Sequence, residues 1–128
     1  MEQVKIQSFL SAYKKFNELL NQSLMTDSVV RDACIQRFKY TLDTCWKALK
    51  LILLEEYGIE ANSPKEVIRM AFKVKLISND PLWIQMIDDR NMTAHIYNEN
   101  MANKIVSQFN YYDNLFLELI KRLNSYGK

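Results

Sequence analysis

The stretch Asp88-Asp89-Arg90-Asn91-Met92-Thr93-Ala94-His95-Ile96-Tyr97-Asn98 sets an arginine, the chain's single histidine and a tyrosine close together. An imidazole exchanges protons near neutrality, and a guanidinium offers a fixed, planar positive charge to a phosphate. Such groups suit cleavage of a phosphodiester by general acid and base, which needs two proton-transfer groups. With one histidine in the chain, a two-fold dimer would have to supply the second. A plainer reading stands beside this one. A histidine in a last helical turn satisfies orphan carbonyls and suits the helix dipole, and a tyrosine at a helix junction simply packs its ring.

Geometry constrains the first reading. On one ideal helix over residues 81 to 97, Arg90 and His95 would be ~140° apart and His95 and Tyr97 ~200° apart. They would not converge on one substrate atom, so the helix is expected to end near Ala94 and release His95 and Tyr97 into the turn before Asn98.

Other polar patterns carry less. Lys65, Arg69 and Lys73 fall at i, i+4 and i+8 and form a basic stripe, read either as a solvated helix face or as a contact for phosphates or an acidic partner. Asp88 and Asp89 point about 100° apart on a helix and read as a solvated acidic turn rather than a magnesium site. Trp46 and Trp83 sit among apolar residues at helical spacing and read as core anchors. Glycine occurs only at Gly58 and Gly127, which removes the phosphate-cradling loops of Walker and dinucleotide enzymes. No G-x-S-x-G elbow is present either. Cys34 and Cys45, on one helix and roughly 16 Å apart, cannot pair, and read as small buried hydrophobes. Neither a metal nor a cofactor is expected.

The elements that would position these residues are helical throughout. Between Gly58, Pro64 and Pro81 the apolar residues recur at threes and fours. A first helix near 3 to 25 carries Ile6, Phe9, Leu10, Tyr13, Phe16, Leu20 and Leu24 along one stripe. A second, from about 27 to 57, presents Val30, Cys34, Phe38, Leu42, Cys45, Leu49, Ile52 and Leu53 and stops at Gly58. Ser63, Pro64 and Glu66 make a capping box for a short third helix reaching about Ile77. Asp80 and Pro81 start a fourth, and Asn98 caps a fifth in which Met101, Ile105, Phe109, Tyr112, Phe116, Leu119 and Leu123 form an unbroken row to near Tyr126. The expected fold is one all-α domain over residues 1–128, an antiparallel bundle of about five helices.

Composition agrees with that class. The chain has 128 residues, 48% apolar and 25% charged, with a net charge of +2, which is too mild to announce nucleic acid by itself. The expected setting is the reducing cytoplasm, with no signal peptide and no membrane span.

An ordered series of residues adds a resemblance. Arg37-Phe38, Trp46-Lys47, Ser63-Pro64 followed by Val67-Ile68 and Ala71-Phe72, then Leu76-Ile77, Trp83, Arg90-Asn91, Thr93-Ala94-His95 and Tyr97 resemble the HEPN superfamily. Within it the chain is similar to the group called nucleotidyltransferase substrate-binding proteins, over roughly residues 31 to 112. The resemblance implies a helical bundle that forms a homodimer or a higher multiple and is encoded beside a minimal nucleotidyltransferase, several such pairs acting as toxin and antitoxin. It implies that Arg90 and His95 form a metal-independent, RNA-cleaving R-x-x-x-x-H pair; in the leading mechanism Asn91 positions the phosphate. Tyr97 would be the site that the partner modifies with AMP. The sequence departs from the group at Lys39 and Asn98, where acids are frequent. A non-catalytic subunit that binds substrate or a nucleotide for a separate transferase is the rival reading, with a helical scaffold as the third.

Overall fold

The computed structural model describes residues 2–22, 26–78, 81–96 and 98–126, with side chains through residue 124. Six α-helices and one 3-10 turn account for the described residues. They are α1 (Glu2–Leu20), α2 (Ser28–Tyr57), α3 (Pro64–Lys73), α4 (Pro81–Met92), the 3-10 turn Thr93–His95, α5 (Glu99–Val106) and α6 (Phe109–Tyr126).

Local chemistry sets most boundaries. Asp27 caps α2 by accepting from the Val29 and Val30 amides at 3.0 and 3.3 Å. Gly58 ends the helix at φ +66°, a left-handed conformation that glycine adopts without a Cβ penalty. Ser63 Oγ accepts from the Glu66 amide at 3.2 Å, and Glu66 reaches back to the Asn62 amide at 2.6 Å, one residue before the serine. Asn98 accepts from the Met101 amide at 2.9 Å and caps α5. Asp80, expected to cap α4, lies outside the described residues, as does Leu24.

Boundaries of α1, α3 and the expected fifth helix differ from the sequence pattern. α1 stops at Leu20, five residues short of the expected end. α3 stops at Lys73 instead of about Ile77, because Lys75 takes a left-handed φ of +67° and turns the chain so that Leu76 and Ile77 enter the core. The single fifth helix is divided at Ser107 and Gln108 into α5 and α6. There the Ser107 hydroxyl donates to the Lys104 carbonyl at 2.5 Å and the Gln108 amide turns back to Ile105 at 3.1 Å. A hydroxyl competing for helix carbonyls loosens a helix in this way, and the apolar row survives the interruption.

The long helices run antiparallel about an aromatic centre. Phe16 of α1 meets Phe109 of α6 at 5.3 Å between centroids, and Phe9 meets Phe116 at 5.9 Å, so the two helices pass in opposite directions. Phe38 of α2 packs on Phe109 at 4.8 Å and stacks on Tyr112 at 5.5 Å, while Trp83 of α4 stands edge-on to Phe116 at 6.1 Å. Such pairs contribute about 0.5–1.5 kcal/mol each beyond their burial. The buried Thr41 hydroxyl lies 2.7 Å from the Arg37 carbonyl and 3.1 Å from the Ala12 carbonyl across the α1–α2 seam. Cys34 and Cys45 are buried and free, and desolvation pushes the Cys34 thiol up to about 12 and Cys45 upward too. Among the described residues no helix is long and apolar enough to cross a membrane.

Candidate functional site

α2 provides the fixed wall of the site. Its core face uses Leu42, Cys45 and Leu49, which leaves Asp43, Trp46 and Lys47 on the neighbouring stripe, at i, i+3 and i+4. α4 lays its last turn against that stripe. Arg90 Nε donates to Asp43 Oδ1 at 3.0 Å and Nη2 donates to Oδ2 at 2.9 Å, a two-pronged pair in which each side chain is about 30% exposed. The bond to Asp43 raises the Arg90 guanidinium above its usual range, and the planar fork fixes its orientation as well as its charge. Nη1 has no hydrogen-bond partner among the described residues.

Asp43, Trp46, Lys47, Pro64, Arg90 and Asn91 line one cleft of about 350 Å³. Trp83 is a core anchor as its spacing suggests, whereas Trp46 is only partly buried and forms part of this wall. Asn91 sits beside Arg90 with its side chain exposed. The cleft thus combines a positioned guanidinium, an ammonium, an amide and an indole, a set suited to an anionic ligand with an aromatic part.

His95 ends the 3-10 turn, is exposed, and has no hydrogen bond among the described residues. Thr93 finishes the helix instead, its hydroxyl donating to the Arg90 carbonyl at 2.6 Å. The α-helix ends at Met92, two residues before the expected Ala94. His95 does not line the Arg90 cleft. Tyr97 lies outside the described residues.

The basic stripe is divided. Lys65 pairs with Asp88 at 2.7 Å, while Arg69 and Lys73 are exposed farther along α3 and have no ion pair among the described residues. The expected solvated acidic turn holds for the exposed Asp88 and is corrected at Asp89. Asp88 holds Lys65, and Asp89 accepts a hydrogen bond from the buried Tyr112 hydroxyl, with Gln85 donating to the same hydroxyl at 2.9 Å. Burial raises the Asp89 carboxyl despite the Tyr112 bond, and burial likewise raises the Tyr112 phenol.

Sequence reasoning missed Asp43 and also Arg31. Only 5% exposed, Arg31 pairs through Nη1 and Nη2 with Glu99, the first residue of α5, and Nη1 donates to Asn103 at 3.3 Å. The helical spacing of Asp43 with Trp46 and Lys47 was the available signal for the first. For Arg31, whose partner is far along the chain, there was none.

Residues 4–125 match the family model described as nucleotidyltransferase substrate binding protein like. A Haemophilus influenzae protein named Probable ribonuclease HepT is 25% identical over 114 residues, 84% of this chain and 77% of its own length. A crystal structure from Thermus thermophilus is similar with a TM-score of 0.83 and 39% identity, covering 90% of this chain and 98% of the other. The fold also matches a chain of a mutant of the toxin–antitoxin pair MntA–HepT, at TM-score 0.79, 17% identity and 97% of each chain. A further fold match, at TM-score 0.73, 21% identity and 97% and 99% of the two chains, is a Haemophilus influenzae protein described as having the fold of a substrate binding domain of a nucleotidyltransferase. With the family model spanning nearly the whole sequence, the chain belongs to the nucleotidyltransferase substrate binding protein like family.

Proposed function

We propose that the chain is the toxin-type half of a two-component system with a minimal nucleotidyltransferase, and that as a homodimer it cleaves RNA without a metal. The observation that carries this reading is the pair of arrangements at the end of α4: Arg90 is held rigidly by Asp43 in a cleft, while His95 stands exposed one turn later, with no hydrogen bond among the described residues. A second copy facing this end would add its own His95 to the same surface. One imidazole takes the 2′-hydroxyl proton as that oxygen bonds to phosphorus, and the other, protonated, gives its proton to the 5′-oxygen as the phosphorus–oxygen bond breaks. Arg90 stabilises the negative charge that grows on the phosphorane, and Asn91 positions the phosphate. Lys65, Arg69 and Lys73 are proposed as outer contacts for the RNA backbone or the partner, Arg69 and Lys73 being the more available.

Control is assigned to Tyr97. The partner transferase would move AMP from ATP to the phenol oxygen, releasing pyrophosphate and leaving an anionic phosphodiester beside Arg90 and His95. The likeness to a ribonuclease of the HepT type supports the activity, and the fold shared with the MntA–HepT chain agrees with it.

A second reading is favoured by one feature: Asp43 occupies Nε and Nη2 of Arg90, which leaves Nη1 for a ligand. On that reading the cleft binds a nucleotide or substrate for the separate transferase and performs no chemistry. The deciding experiment is cleavage of a mixed RNA substrate by the purified chain, its His95→Ala variant and an EDTA-treated sample. Cleavage that is lost in the variant and indifferent to EDTA supports the ribonuclease. Absence of cleavage by the purified wild type, with saturable nucleotide binding, supports the binding subunit.

A further inference from the structure

α4 has a second concave side. Arg90 and Asn91 face the cleft against α2, whereas Gln85, Asp89 and Met92 form one wall of a separate cavity of about 500 Å³. Met101, Lys104 and Gln108 form the opposite wall, so the break between α5 and α6 places an amide at the rim. Such a volume is within the range of small-molecule sites.

The polar groups in this cavity are organised. Gln85 Nε2 donates to Gln108 Oε1 at 3.2 Å and to the Tyr112 hydroxyl at 2.9 Å, and that hydroxyl donates to Asp89 Oδ2. The network fixes both glutamines and leaves Gln85 Oε1 and Asp89 Oδ1 as acceptors, with Gln108 Nε2 as a donor engaged only by a 3.5 Å contact to Ser107. A neighbouring acceptor and donor match the amine and ring nitrogen on the edge of adenine, the pattern that amide side chains read in nucleic acids. Met92 and Met101 offer polarizable sulfur to the faces of a flat ring. Lys104 is exposed, has no ion pair among the described residues, and bears on Asp89 electrostatically. Its ammonium suits a phosphate at the mouth.

We propose that this cavity binds a purine nucleoside monophosphate, with the base between the methionines against Gln85, Gln108 and Asp89, and the phosphate on Lys104. Met92 and Met101 are also the last residue of α4 and an early residue of α5, so the cavity lies beside the end of α4 that leads into the 3-10 turn of His95. In a step that rests on the modification proposed above, the AMP transferred to Tyr97 is the nucleotide that docks here.

The test uses the unmodified full chain titrated by calorimetry with 5′-AMP, UMP and inorganic phosphate. AMP should bind saturably and at least tenfold more tightly than either of the others. Lys104→Gln should weaken it about tenfold and Met101→Asp at least as much, with both variants keeping the wild-type thermal melt; Lys104 is exposed, so its substitution leaves the fold intact. Phosphate or UMP binding as tightly as AMP would overturn the assignment, and so would AMP binding that is unchanged in both variants. Tyr97→Phe should retain free-AMP binding, which separates the two ideas. Binding of AMP with no mass gain from an active transferase keeps the cavity and removes the modification. A mass gain on Tyr97 with no binding of free AMP does the reverse.

Discussion

Arg90 and Asp43 are joined by two parallel hydrogen bonds, at 3.0 and 2.9 Å, across 47 residues of sequence. Asp43 thereby decides where the guanidinium points. A second arginine–carboxylate pair, Arg31 with Glu99, ties the start of α5 to the same helix α2, twelve positions earlier. At ~1.5 Å per residue the two anchors are roughly 18 Å apart along α2. The connection bearing His95 hangs between them.

The first prediction follows from that geometry. Asp43→Asn keeps the shape but loses the charge and one accepting oxygen, so Arg90 should stay in place on average yet become looser. RNA cleavage is expected to fall about tenfold in kcat/KM, with a stability loss of about 1–3 kcal/mol from the weakened charged hydrogen bonds. Urea unfolding beside the cleavage assay checks both. Unchanged cleavage would mean that the pair is structural only.

How much of this was legible in the sequence depends on the range of the determining contact. Ser63-Pro64, Asn98 and Gly58 act on amides or carbonyls a few residues away, so their helix ends could be read directly. Lys75 could not be read, because its left-handed turn is imposed by the burial of Leu76 and Ile77 against the rest of the bundle. The division at Ser107 and Gln108 leaves the apolar spacing nearly unchanged and so is silent in the pattern. Arg90 and His95 were legible as reactive types, but not the fact that Thr93, instead of His95, closes the helix. The helical spacing of Asp43 with Trp46 and Lys47 could be read, but its pairing with Arg90 had to wait for the fold, since no local rule pairs residues so distant.

The second prediction concerns Lys75. An L-residue at φ +67° carries a steric cost of roughly 1–2 kcal/mol that glycine avoids, partly offset by glycine's greater freedom when unfolded. Lys75→Gly should stabilise the chain by about 0.5–1 kcal/mol, and Lys75→Val should destabilise it by about 1–3 kcal/mol. Chemical denaturation of the pair measures the difference, and equal midpoints would contradict the strain.

The third prediction is a stability profile with two opposite slopes. Partial burial, with the Glu56 and Glu55 carboxyls nearby, pushes Glu2 up from 4.5 to about 7. A folded state that holds this proton more tightly is favoured at low pH, and the advantage is lost as pH rises through about 7. Glu99 is shifted downward from 4.5 by its bond to Arg31, so its contribution is present above 4.5 and lost as pH falls below it. The melting temperature should therefore rise between pH 8 and 5.5 and drop again in more acid solution. Glu2→Gln should flatten the upper slope and Glu99→Gln the lower one. A profile unchanged by either variant would rule out these assignments.

The fourth prediction tests control. Incubation with the co-encoded transferase, ATP and magnesium should add one or more AMP units, read by intact mass and mapped to Tyr97, and should suppress RNA cleavage. Tyr97→Phe should gain no mass and remain active. A gain that maps elsewhere would remove Tyr97 from the scheme.

The last prediction addresses assembly, because His95 does not line the cleft that holds Arg90. If the reacting groups come from two copies, light scattering should give a dimer or a multiple of one at micromolar concentration. Dilution below the dissociation constant should then abolish cleavage more steeply than in proportion to protein. Mixing offers a sharper test. His95→Ala alone removes both imidazoles of a homodimer, and Arg90→Ala alone removes both guanidiniums, so each pure variant should lose at least about a hundredfold in rate, the usual contribution of a proton-transfer group. A mixed dimer of wild type and His95→Ala keeps only one imidazole. Because the step needs both, unfolding and refolding wild type with an equal amount of His95→Ala should leave about half of the cleavage that the same wild type gives alone. A monomer, or a monomer-sized species with full activity, would remove the composite site and with it the mechanism that depends on two imidazoles.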